Sequence, residues 1–212
     1  MIRHHPSTET LLAYAAGTLR AGHALVVTAH LQGCSDCQRS VAKLEALGGA
    51  LLEDLPPDTL PPDAFARTLA ALESTPAPAR PIAEPAYLPS NTLMPQALSA
   101  TRIGRWLWVG RGVHYSRVYL PWAPKERVML IKVAANRPVI AHSHGGREFT
   151  QILQGSYHDE AGSYQCGDMT EEDHQTTHQP RAGEHGCLCL AALEDGLRLP
   201  WLKNLTKRSA AR

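Results

Sequence analysis

Long apolar runs are missing from this chain of 212 residues, and its opening MIRHHPSTET is not followed by the hydrophobic stretch of a secretory signal. Their absence excludes a helical membrane span, so a soluble, cytoplasmic protein with no membrane partner is expected. An excess of charge is missing too. Lys+Arg 21 against Asp+Glu 20 gives a net charge of +1, with no basic footprint and no basic recognition helix for direct nucleic-acid binding. A basic tail from Lys203 to Arg212 reads as a solvated terminus. Cysteine is scarce and odd in number, at 5, which in a reducing compartment argues for metal ligands or free thiols over a disulfide framework. Hydrophobic residues at 43% suffice for a packed core, and histidine, with 11 unevenly placed copies, directs the search to metals.

Residues 7–73 carry helical periodicity. Ser7 can cap a first helix with Leu11, Leu12, Ala15 and Leu19 on one face. A second fits residues 21–31. A third, capped by Ser35 or Asp36, runs through Val41, Leu44, Leu47 and Leu51. Pro61 and Pro62 suit the first turn of a fourth, with Phe65, Leu69 and Leu72 along one side. STPAPARPIAEPAYLPSN follows, where Pro76, Pro78, Pro81, Pro85 and Pro89 forbid both helix and central strand. Beyond this extended linker the period changes. RWLWVG, VHYSRVYL, RVMLIKVA, EFTQILQG and GCLCLAAL are short, β-prone and punctuated by turn residues. The fold class expected is α plus all-β: a small helical bundle (1–75), a Pro-rich linker (76–91) joining the halves flexibly, an antiparallel β-barrel or jelly roll (92–205), and the tail (206–212).

In HLQGCSDCQ, His30, Cys34 and Cys37 stand in a His-x3-Cys-x2-Cys spacing. Two thiolates three apart can grip one ion, and a histidine one helical turn earlier can reach the same point. A closed tetrahedral zinc site needs a fourth ligand. His5, just before the capped first helix, is the choice, with His4 and His23 as rivals. A redox pair or core packing are the alternatives for the cysteines. This spacing in a bundle of short helices resembles the zinc-binding anti-sigma domain. That resemblance implies an extracytoplasmic-function sigma factor as partner. It also implies that Phe65, Leu69 and Leu72 complete the sigma-binding unit, unless they pack intramolecularly.

A second constellation lies in AHSHGGREFTQILQG. His142 and His144 share a face of one strand, Gly145-Gly146 permits a sharp turn, and Glu148 returns on the next strand. Gly155 ends that strand, Gly167 and Asp168 make a later turn, and His178 can come back as a fourth ligand, with His174 as its substitute. Ligand chemistry alone leaves zinc, iron, manganese or nickel open. Cys187 and Cys189 share a face of their strand, either as small packing residues or, if that face holds the metal, as redox-sensitive groups near it. Cys166 is a turn thiol. Tyr115, Arg117, Lys132 and Gln151 can line a substrate pocket or simply face solvent.

The spacing His-x-His-x3-Glu-x6-Gly is similar to the first cupin motif, with His178 in the place of the second motif's histidine. The two motifs in this order resemble the ChrR family of anti-sigma factors. The resemblance implies one zinc held by His5, His30, Cys34 and Cys37, and a second metal held by His142, His144, Glu148 and His178. It implies a sensor whose cupin-like domain triggers sigma release under oxidative stress of the singlet-oxygen type, and no catalysis. The alternative is a metal-dependent cupin enzyme, dioxygenase-like, with an accessory zinc domain. Whether two copies pair through the cupin domain is left open.

Overall fold

The computed structural model describes residues 2–74, 87–88, 92–110 and 112–198. Most of the Pro-rich linker and the basic tail therefore lie outside the described residues. Four helices come first: α1 (Thr8–Ala15), α2 (Ala21–Leu31), α3 (Ser35–Glu53) and α4 (Ala64–Ser74). Ser7 caps α1 by accepting from Thr10 N at 3.2 Å, and Gly17 leaves the helix at φ +67°, a turn that glycine makes without strain. The cap of α3 is not Ser35 or Asp36, which lie inside the helix, but Cys34, whose sulfur accepts from Cys37 N. Pro61 and Pro62 sit just ahead of α4 rather than in it.

The strands are β1 (Tyr87–Leu88), β2 (Thr92–Leu93), β3 (Arg102–Ile103), β4 (Leu107–Gly110), β5 (Val113–Tyr119), β6 (Arg127–Val133) and β7 (His142–His144). They continue with β8 (Glu148–His158), β9 (Ser163–Gln165), β10 (Met169–Glu172), β11 (Thr177–His178), β12 (Arg181–Leu193) and β13 (Leu197–Arg198). All pairings are antiparallel. The main sheet runs β10-β8-β12-β6-β5-β3, with β4 also on β5 and β9 on β8, and a second sheet runs β11-β7-β13. These two sheets face each other as in a jelly roll without closing into one hydrogen-bonded barrel. Among the described residues, β1 and β2 pair only with each other. Gly155 does not end its strand: β8 continues to His158 through a bulge where Gly155 (φ +72°) meets Gly186 (φ +77°). A Cβ on Gly155 would lie 2.0 Å from the Gly186 carbonyl oxygen, so the crossing needs a bare backbone there.

Strand alternation gives the main sheet two buried faces. From β12, Leu188, Leu190 and Ala192 point to the helices, with Val128 and Leu130 of β6 and Phe149 of β8. Cys187 and Cys189 point the other way, with Val133 and Ile152. Two buried faces are why VMLI (128–131) and CLCLAAL (187–193) read as unbroken apolar runs and not as alternating strands. The helical half does not hang free on its linker. Helix α2 lies directly on β8 and β12, burying Leu25, Val26, Val27 and Ala29. It lacks a side-chain cap, a loss of about 1 kcal/mol. Burial of Leu25, Val26 and Val27 offsets that severalfold at roughly 1.5–3 kcal/mol each.

Polar contacts fasten the N-terminal segment to the same sheet. The buried Asp168 carboxylate accepts from Arg3 N (2.7 Å), His4 N (3.1 Å) and Gln165 N (3.0 Å). Met169 N donates to the His4 carbonyl, and Ser7 donates through N and Oγ to Glu171. Burial alone would push the Asp168 carboxyl up, but these donors outweigh it and hold the group below the usual carboxylate range.

Part of the expected helical core is absent among the described residues. Leu12 is half exposed, and beyond Val41 and Leu44 the stripe of α3 is open, with Leu47 at 55% and Leu51 at 62% exposure. Helix α4 buries nothing, and Phe65 stands 76% exposed.

Candidate metal centres

The start of α3 and the end of α2 bring the first constellation together. Cys34 and Cys37, at the cap and in the first turn of α3, are buried, and His5 Nδ1 lies 3.3 Å from one sulfur and 3.4 Å from the other. His30 completes the group. Its Nδ1 is 3.1 Å from both Gln151 Oε1 and the Gly167 carbonyl, so Nδ1 is the donor and Nε2 carries the lone pair. That Nε2 is buried without a hydrogen-bond partner. A tetrahedral ion with Zn–S near 2.3 Å and Zn–N near 2.05 Å sets unlike ligands about 3.5 Å apart, close to the separations seen. Burial, and then Cys34, push the Cys37 thiol up to about 12, so a thiolate forms there only against a cation. The rivals are elsewhere: His4 is held by Asp168, and His23 stacks edge-on against Phe149 at 4.4 Å.

The second constellation forms where β7 and β11 of the second sheet lie opposite β8 of the main sheet. His178 Nε2 lies 3.2 Å from His142 Nε2 and 3.3 Å from His144 Nε2. His142 Nδ1 donates to the Ile140 carbonyl at 2.7 Å, and His178 Nδ1 donates to Asp159 Oδ2 at 3.1 Å. Their Nε2 atoms are therefore bare lone pairs pointing at one another, an arrangement that costs energy unless a cation sits between them. Tetrahedral bonds of about 2.0–2.1 Å place nitrogens about 3.3–3.4 Å apart, matching this spacing. Outer partners of this kind are what orient histidines around a metal.

Glu148 lies beside this group and not among the three converging nitrogens. Its Oε2 is 2.8 Å from His144 Nδ1, an ion-pair distance although the ring N–H does not align with it as a hydrogen bond. Its Oε1 accepts from Thr150 Oγ1. Burial opposes charge on both partners, yet their attraction wins, raising His144 and lowering Glu148. His174 is exposed in a turn and joins no cluster among the described residues.

His142, His178 and Glu148 line a cavity of about 90 Å³. Cys187 and Cys189 line it as well, their sulfurs 3.2 Å apart, so the cysteines share the cavity face with His142 and His178. Cys166 is exposed in its turn. Tyr115, Arg117, Lys132 and Gln151 line none of this cavity: Tyr115 and Arg117 border a separate surface hollow, and Gln151 faces the helices. Asp159 carries no local motif, and the sequence marks Asp168 only as part of a turn, without its role as acceptor for the N-terminal segment.

A helical bundle bearing a cluster of two histidines and two cysteines is packed on a sheet bearing a three-histidine cluster, and comparison with known proteins identifies both halves. A model of the ChrR cupin-like domain matches residues 95–195, and a zinc-finger family model matches residues 8–38. The chain is 36% identical over 202 residues to the anti-sigma-E factor ChrR of Cereibacter sphaeroides, covering 93% of this chain and 92% of that one. It also superimposes on the crystal structure of Rhodobacter sphaeroides SigE in complex with the anti-sigma ChrR, with a TM-score of 0.75, 32% identity, and coverage of 92% of this chain and 100% of that one. The chain belongs to the ChrR family of anti-sigma factors, and the cupin-enzyme alternative is not favoured.

Proposed function

We propose that residues 1–75 bind and inhibit an extracytoplasmic-function sigma factor, and that residues 92–205 govern its release under oxidative stress of the singlet-oxygen type. The observation that carries this reading is the uncovered apolar strip on α3 and α4: Leu47, Leu51 and Leu52, then Phe65, Leu69 and Leu72. An amphipathic helix with nothing to pack on is built for a partner's groove. The complex of the relative with SigE supports a sigma factor as that partner.

His5, His30, Cys34 and Cys37 would hold the first zinc. His142, His144, Glu148 and His178 would hold the second metal, for which zinc is favoured over iron, manganese or nickel. Zinc supplies a redox-inert cross-link at each place. A cavity of about 90 Å³ supports sensing over turnover, since small-molecule sites usually span about 300–1,000 Å³. The cytoplasm, where sigma factors act, is the location this reading requires; none of the described helices is long and apolar enough to cross a membrane.

The double variant Phe65→Asp with Leu69→Asp tests the docking surface. Both side chains are exposed, so zinc content and thermal stability should stay at the wild-type level. Sigma affinity should fall 100-fold or more, since two apolar anchors become charges in a desolvated interface, each costing about 2 kcal/mol or more. Unchanged affinity, measured by calorimetry, would remove α4 from the interface.

A further inference from the structure

Strand β8 is a wall shared by the two metal-type clusters. Glu148 and Thr150 face the cupin cavity, while the alternate residues Phe149 and Gln151 face the helices. Phe149 receives the edge of His23, and Gln151 receives His30. The Gln151 amide is oriented, because its Nε2 donates to the Ile152 carbonyl (3.3 Å) and turns Oε1 toward His30 Nδ1. The other acceptor of that ring, the Gly167 carbonyl, also comes from the sheet half. Gly167 has φ +96°, and a Cβ there would lie 2.8 Å from the Ile2 side chain, so bare backbone is needed to bring this carbonyl up. Among the described residues, His30 thus has no acceptor for Nδ1 from its own bundle; both are 121 or more residues away.

We propose that the sheet half completes the N-terminal metal site, with Gln151 as the positioning residue that keeps His30 a donor at Nδ1 and a ligand at Nε2. This rests on the reading that His5, His30, Cys34 and Cys37 hold zinc. Outer partners of a ligating histidine change metal affinity 10–100-fold. Docking of the sheet therefore tightens the first site, and by reciprocity metal in the first site tightens docking of the sheet. A disturbance that shifts β8 from the cavity side reaches His30 through one strand.

The test is residue-resolved alkylation of Cys34 and Cys37 in the full-length zinc-loaded chain, read by mass spectrometry against rising chelator concentration. In Gln151→Leu, which fills the space without an acceptor, the chelator concentration giving half-exposure should drop about tenfold. In Gln151→Glu, which keeps an acceptor and adds charge, it should equal or exceed the wild-type value. Metal at the second site should be unchanged in both. Equal midpoints for wild type and Gln151→Leu, or a Glu variant as weak as the Leu variant, would overturn the proposal. If Gln151→Leu fails to fold, Gln151→Glu decides alone, and a lowered midpoint there overturns it. Cysteines never protected by zinc in the wild type would instead refute the first metal site itself, and this inference with it.

Discussion

Replacing Cys34 and Cys37 together by serine should remove one zinc ion per chain and unfold α1 to α3 as a unit. The two thiols are 3% and 4% exposed at the point where α2 turns into α3, and Cys34 is also the cap of α3. Around them the apolar core contributed by α1 and α3 is thin: Leu11 from one and Val41 from the other. A structural zinc contributes about 10–16 kcal/mol of apparent binding energy at neutral pH, comparable to the whole stability of a typical domain. Hydrogen exchange should rise throughout residues 8–53, while β8 and β12 stay protected by their ladders inside the main sheet and by the apolar face turned away from the helices. Chelation of the wild-type chain should reproduce the same pattern. Retained zinc stoichiometry with protected helices would show that the thiols are core residues and no more.

His178→Ala should abolish tight metal binding at the second site and destabilise the sheet half. His178 is the middle of the three rings, within 3.3 Å of each of the others, and it also satisfies Asp159, whose side chain is 1% exposed. Its loss removes a ligand and takes the ring donor from Asp159 Oδ2, leaving that carboxylate only the Ala161 and Gly162 amides on Oδ1. Losing a hydrogen bond to a buried carboxylate costs roughly 1.5–3 kcal/mol, enough to lower the thermal midpoint by several degrees in a domain near this size. His174→Ala, in the exposed turn, should change neither metal content nor midpoint. Calorimetry with metal analysis on both variants checks this, and equal behaviour of the two would reject His178 as a ligand.

What the sequence made legible follows from distance along the chain. The Cys34–Cys37 grip and the approach of His30 are set within two helical turns, and the pairing of His142 with His144 is set by strand alternation. His178 takes its place because β11 pairs with β7, matching His178 directly to His142. The same parity could have removed Gln151 from the expected pocket: three residues from Glu148, it must face the opposite side of β8. No such rule reaches Asp168 or Asp159, whose partners lie across a docked interface or on the other sheet. The periodicity of α3 was visible in Val41, Leu44, Leu47 and Leu51, but periodicity marks an apolar face without saying what covers it. That the far end of this face is open was visible only in the fold.

The central claim is that this chain holds a sigma factor with a metal-dependent helical unit. Native co-purification of the full-length chain from its host, with mass spectrometry and metal analysis of the isolated complex, tests it most directly. A sigma factor in one-to-one ratio with two zinc ions per complex, lost when Cys34 and Cys37 are both serine, is the result expected. A chain recovered without any sigma factor, carrying redox-active iron in the cupin cavity and turning over a substrate, would contradict it.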